Sequence, residues 1–134
     1  KNAMYFAEQF EADGIKTIYP GLKSHKSHAL YQSIMHPDYG YGGMLAIDVQ
    51  TEANASALME AMQERNVGYL AVSLGFYRTL FSASGSSTSS EIPEGEQVSM
   101  GLSPGLIRFS VGLDNNAAAS YDKSREALKS VGLI

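Results

Sequence analysis

A chain of 134 residues, 44% hydrophobic and 18% charged, has the make-up of one folded domain with a sizeable core, not of a disordered or fibrous segment. It has no cysteine, which excludes disulfides, a thiol nucleophile and cysteine-ligated zinc or iron–sulfur centres. A net charge of −4 without any basic run argues against a surface that tracks nucleic-acid phosphates.

The chain opens Lys1-Asn2-Ala3-Met4 instead of with Met, and these residues already belong to a helical pattern of Met4, Ala7 and Phe10, with Phe6 and Phe10 also one turn apart. A helix is expected over 2–12, ending at Asp13-Gly14. Ile15, Thr17 and Tyr19 then alternate with Lys16 and Ile18 as in a short strand that Pro20-Gly21 ends. Ser27 is placed to cap a helix over 28–35 with Leu30, Ile34 and Tyr31 as its apolar stripe, broken by His36-Pro37-Asp38. Tyr39-Gly40-Tyr41-Gly42-Gly43 leads into a strand over 44–49, whose apolar run predicts burial on both faces as far as Asp48. The glycines there precede a strand instead of linking a strand to a helix, so a phosphate cradle is not expected; they are expected to let backbones pack closely.

Thr51 to Asn54 offers capping chemistry for the clearest helix of the chain, with Ala55, Leu58, Met59 and Met62 on one face and Asn66 as a left-handed cap. A buried strand is expected over 69–73 and another over 106–112, where Ile107, Phe109 and Val111 face one way. The serine-rich run 82–90 reads as a loop, and 117–131 as a closing amphipathic helix with Tyr121, Leu128 and Val131 inward. Three or four strands with helices on one face make an α+β domain. His25, His28 and His36 lack the spacing and the carboxylates of a metal site, and no metal is expected. Nor does any nucleophile, base and orienting acid assemble into a triad, so no catalytic residue is assigned.

Two positions stand out. Arg108 interrupts an apolar strand and must point away from Ile107 and Phe109; it is a solvated or salt-bridged side chain, or a rigid anchor for a carboxylate or phosphate. Ser73, followed by Leu74-Gly75, ends a strand where backbone N–H groups and a hydroxyl can line a pocket rim.

Four stretches resemble, in order, the C-terminal domain of the Cys/Met-metabolism family of pyridoxal-phosphate enzymes. They are Tyr19-Pro20-Gly21-Leu22 with Ser24-His25 and His28, Gly40-Tyr41-Gly42-Gly43-Met44, Leu70-Ala71-Val72-Ser73-Leu74-Gly75, and Gly105-Leu106-Ile107-Arg108-Phe109-Ser110-Val111-Gly112. Ser84-Gly85-Ser86-Ser87-Thr88-Ser89-Ser90-Glu91 is most similar to the plant-type methionine gamma-lyases within that family. The resemblance implies the small, mainly antiparallel C-terminal domain of a fold-type I (aspartate-aminotransferase-like) enzyme, with all 134 residues as one substrate-carboxylate-binding domain of a longer protein. It implies that Arg108 binds the substrate α-carboxylate and that Ser73 and Leu74 line its pocket. Pyridoxal phosphate would be held mainly by a larger upstream domain carrying the Schiff-base lysine, so this chain alone is expected to be inactive.

The implied parent is a cytoplasmic homotetramer acting on a small amino-acid substrate, with neither nucleic acid nor membrane as partner, and its reaction is γ-elimination from methionine or a related sulfur amino acid. The alternatives are cystathionine gamma-synthase or lyase, O-acetylhomoserine sulfhydrylase, and a stand-alone module without catalysis. Arg78 departs from the acidic residue common in the family, which bears on substrate choice.

Overall fold

The computed structural model describes residues 1–84 and 91–134, apart from the side chains of 94 and 98. Its elements in chain order are α1 (Asn2–Ala12), β1 (Lys16–Ile18), α2 (His28–Ile34), β2 (Met44–Asp48), α3 (Glu52–Glu64), β3 (Gly68–Leu70), β4 (Thr79–Ala83), α4 (Glu94–Ser99), β5 (Leu106–Ser110) and α5 (Ala117–Ser130). The strands form a five-stranded sheet in the order β1-β2-β5-β4-β3, antiparallel throughout except for the parallel β3–β4 pair. This is the α+β architecture expected, with one strand more.

One face of the sheet carries Leu45, Ile47, Phe81, Ala83, Ile107 and Phe109, all buried. Against it pack α1 and α3, with Phe10 in ring contact with Phe109 at 5.5 Å, and α5 packs on these two helices, Tyr121 lying 5.1 Å from Phe10. Each fully buried side chain of this size contributes roughly 1.5–3 kcal/mol, so this layer dominates stability. Local chemistry sets the helix ends. The Thr51 hydroxyl accepts from Asn54 N–H at 3.1 Å to start α3, and Asn116 accepts from Ala119 N–H at 3.0 Å to start α5. At the end of α3, Asn66 takes φ +56°, and the amides of Asn66 and Val67 return to the carbonyls of Gln63 and Met62. Tyr121, pinned by a 2.9 Å bond from its hydroxyl to Asp13, ties α5 to the end of α1, where Arg125 pairs with the same carboxylate.

Several expectations need correction. The strand expected over 69–73 is only Gly68–Leu70, and it is an edge strand whose Tyr69 and Leu70 are exposed. The expected loop over 82–90 begins inside β4, a fully buried strand; 85–90 lie outside the described residues. In β2, Met44 is exposed and Ala46 only half-buried, because the helices cover one face of the sheet. α2 buries no side chain: Leu30 and Ile34, its expected apolar stripe, are exposed. Ser27 precedes α2 without making a side-chain cap. In the run 40–43, Gly43 lies against the backbone of Val111, whose N–H donates to its carbonyl at 2.8 Å, while Gly42 takes φ +89° and its carbonyl accepts the Tyr19 hydroxyl at 2.8 Å.

Candidate functional site

The sheet face turned away from α1, α3 and α5 holds Arg108. Across the antiparallel ladders, Arg108 is opposite Ala46 on β2 and Ser82 on β4. Directly paired residues share a face, so the guanidinium stem lies between two small side chains that leave it room. Steric demands fix the strand beneath it at both ends. A Cβ on Gly105 would stand 2.6 Å from Thr51 N and closer still to Gln50 N, and one on Gly112 would stand 2.6 Å from the backbone of Tyr77, Arg78 and Thr79. The two glycines of the Gly105-to-Gly112 stretch therefore admit the flanking chain, and hydrogen bonds hold it there. Val49 N–H donates to Gly105 C=O at 3.0 Å and Gly112 N–H to the Thr79 hydroxyl at 3.1 Å.

The 71–78 connection joins two parallel strands, which requires a crossover. It runs over β4 onto β5, where Arg108 Nη2 donates to Ser73 C=O at 3.3 Å and Gly75 N–H donates to the buried Ser110 hydroxyl at 3.1 Å. Arg108 and Ser73 are thus brought together, although Ser73 lies in the crossover and not at a strand end. Leu74 follows, exposed, among the exposed apolar side chains Val72, Phe76 and Tyr77.

Arg108 Nε is buried, and no described residue accepts its hydrogen. A buried guanidinium N–H without a partner costs about 1–3 kcal/mol, a cost an incoming anion would remove. No acidic group among the described residues forms an ion pair with Arg108. Asp48, the sole acid in the described strands, lies on the same face but is already engaged. Burial alone would push its carboxyl up, but hydrogen bonds from Lys16, at 2.8 Å, Ser103 and the Gln50 amide outweigh that and hold it below the usual carboxylate range. A guanidinium without an acid partner has the donor chemistry that suits a small anion such as a carboxylate. Ser82, whose buried hydroxyl also has no partner among the described residues, is the residue that sequence reading passed over; only its register opposite Arg108 marks it.

Other sequence candidates are structural. His28 bonds to Pro20 C=O through Nδ1 at 2.8 Å and stacks on Tyr41, and His25 Nδ1 accepts from Ser27 N–H. Among the described residues no group of three His, Asp or Glu side chains is placed to share a metal ion. Arg78 donates to the Tyr69 hydroxyl at 2.6 Å and lies 4.7 Å from that ring's centre. All six lysines of the chain are exposed, so none sits in the desolvated pocket that makes a lysine amine nucleophilic. No helix among the described residues is long and apolar enough to cross a membrane.

A family model described as Cys/Met metabolism PLP-dependent enzyme matches residues 1–122. The chain is 50% identical over 111 residues to a methionine gamma-lyase of Arabidopsis thaliana, and 30% identical over 116 residues to a cystathionine beta-lyase of Coxiella burnetii. These alignments cover 82% and 85% of the chain but only 25% and 29% of the relatives, so the chain spans little more than a quarter of their length. Among solved structures, an O-acetylhomoserine (thiol)-lyase assignment from Campylobacter jejuni, which carries a pyridoxyl-lysine monophosphate, superposes with TM-score 0.85 at 25% identity, over 96% of this chain and 30% of that one. A cystathionine gamma synthase from Xanthomonas oryzae in complex with cystathionine gives TM-score 0.83 at 26% identity, over 98% of this chain and 33% of that one.

Proposed function

The chain belongs to the Cys/Met-metabolism family of PLP-dependent enzymes, and from that membership we propose that its 134 residues are the substrate-carboxylate-binding domain of a lyase acting on sulfur amino acids. The observation that carries this reading is the Arg108 guanidinium, whose buried Nε has no acceptor and which has no paired acid among the described residues. It sits on a strand fixed at both ends, and a donor held in advance loses little freedom on binding. A planar fork of N–H donors matches a carboxylate, and the Ser73 carbonyl on Nη2 limits how the fork can rotate.

Orientation is this chain's share of the chemistry. Fixing the α-carboxylate fixes which bond of the α-carbon faces the reacting groups, and a displacement of about 1 Å in such positioning can cost a hundredfold in rate. The described residues suit the amino acid better than the cofactor: with every lysine exposed, the lysine that holds pyridoxal phosphate is proposed to come from outside these residues. The bound cofactor would supply the electron sink.

Methionine γ-elimination is the favoured reaction, supported by the 50% identity to the Arabidopsis lyase against 30–31% for the beta-lyases. The second reading is replacement chemistry, as in cystathionine or O-acetylhomoserine enzymes, supported by the two solved structures above.

The test is Arg108→Ala in the full-length protein that carries this chain. Loss of one charge-assisted anchor should cost about 2–5 kcal/mol in kcat/KM for the amino-acid substrate, with cofactor absorbance unchanged. Retention of parental kcat/KM would remove Arg108 from the carboxylate site. Comparing ketoacid release from methionine with thiol incorporation into an O-acyl homoserine separates the two reactions.

A further inference from the structure

We propose that Ser82 is a second ligand to the bound carboxylate, its hydroxyl and Arg108 Nε–H donating to the same carboxylate oxygen. The inference rests on the carboxylate reading of Arg108 and extends it to how the anion is held.

Two buried polar side-chain atoms among the described residues have no hydrogen-bond partner, and they are Ser82 Oγ and Arg108 Nε. The two residues are direct cross-strand partners on β4 and β5. Their side chains therefore leave the sheet on the same face, with Cβ atoms about 4.5–5.5 Å apart, close enough for one oxygen atom to bridge them. Ser82 is only 4% exposed, so its hydroxyl is not satisfied by bulk water. Buried hydroxyls are ordinarily bonded, and two unbonded donors side by side point to a shared acceptor. That acceptor carries negative charge, because Arg108 has no ion pair among the described residues. Of the neighbours on this face, Ala46 has no polar side-chain atom, and the Ser110 hydroxyl is held by the Gly75 N–H that it accepts at 3.1 Å, so it is not left without a partner as Ser82 is. Nη2 already donates to Ser73 C=O, so the donor left for the oxygen that Ser82 shares is Nε–H. The carboxylate is thereby held by a charged donor and a neutral one, and the neutral one fixes its rotation.

The experiment measures the affinity of L-norleucine, an unreactive amino acid, for the full-length protein by calorimetry, in the parent, Ser82→Ala, Arg108→Lys and the double variant. Thermal unfolding checks that each is folded, and Ser82→Cys, which keeps the side-chain volume with a weaker donor, stands in if Ser82→Ala does not fold. A hydrogen bond to a charged acceptor predicts about a ten- to hundredfold loss for Ser82→Ala. Lysine lacks the Nε edge, so the loss should be several-fold smaller in the Arg108→Lys background. Parental affinity in the Ser82 variants alongside weakened binding in Arg108→Lys overturns the Ser82 assignment and leaves the anchor standing. An equal loss in both backgrounds also overturns it, because Ser82 then acts without sharing the anion. Unchanged affinity in every variant removes the carboxylate reading itself.

Discussion

Replacing Gly105 by Ala tests the claim that steric confinement at the end of β5 holds the site strand. The added methyl carbon would meet the Gln50 carbonyl carbon and Thr51 N at 2.6 Å and Gln50 N more closely still, all backbone atoms that cannot rotate away. Ordinary contact begins near 3.4 Å, so the two segments must separate by close to 1 Å. Overpacking of this kind costs about 1–3 kcal/mol, and weakening the Val49 N–H bond to Gly105 C=O adds about 0.5–1.5 kcal/mol. A total of about 1.5–4.5 kcal/mol corresponds to a drop in Tm of roughly 5–16 °C for a domain of this size. Thermal unfolding of the 134-residue chain followed by far-ultraviolet circular dichroism measures it. Gly40→Ala, where a Cβ meets nothing within 4 Å, is the internal control and should move Tm little. If Gly105→Ala melts with the control, the confinement argument is wrong, and with it the reason given for the rigidity of Arg108.

Two further expectations concern the same chain. Burial, followed by Tyr31 and Tyr41, pushes the Tyr19 hydroxyl up to about 12, and burial with the Asp13 carboxylate also raises Tyr121. Both are neutral in the folded state above the pH where the unfolded chain ionises, so their contribution is complete below about pH 10 and is lost as pH rises toward 12 and beyond. Denaturation free energy should fall across that window while tyrosinate absorbance stays below that of the unfolded chain; a flat profile there contradicts the burial of these hydroxyls. Leu30→Ser and Ile34→Ser should each change the chain's stability by no more than about 0.5 kcal/mol in urea unfolding, since 64% and 76% of these side chains are exposed. A loss of 2 kcal/mol or more, the scale of a buried aliphatic truncation, would mean that α2 packs on the core after all.

Where a segment buries one face, its period was readable. The alternation of Ile15, Thr17 and Tyr19, the stripe of α3 and the inward Ile107 and Phe109 of β5 all appear as expected. β4 was not legible, because Thr79–Ala83 is buried on both faces and its polar ends merge with a serine-rich run. Its strand character comes from pairing with β5, which is distant in sequence. In α2, the periodicity reports an apolar face but cannot report whether anything covers it. The site divides in the same way. Arg108 was conspicuous as a charge within an apolar strand, whereas Ser82 is one serine among many until the register of two strands sets it beside the guanidinium. The proximity of Ser73 to Arg108 follows from the route of the 71–78 crossover, which short-range pattern does not encode.

The strand order has a consequence for how the domain is made. β5, the last of the described strands, is inserted at the middle of the sheet, between β2 and β4. Until residues 106–110 have been synthesised, β1–β2 and β3–β4 are two separate ribbons, each with an unpaired inner edge. Such edges attract foreign strands, and long-range pairings of this kind form slowly. The ribosome therefore releases Arg108 and the strand that closes the sheet in the same few residues, so the proposed site is completed together with the fold.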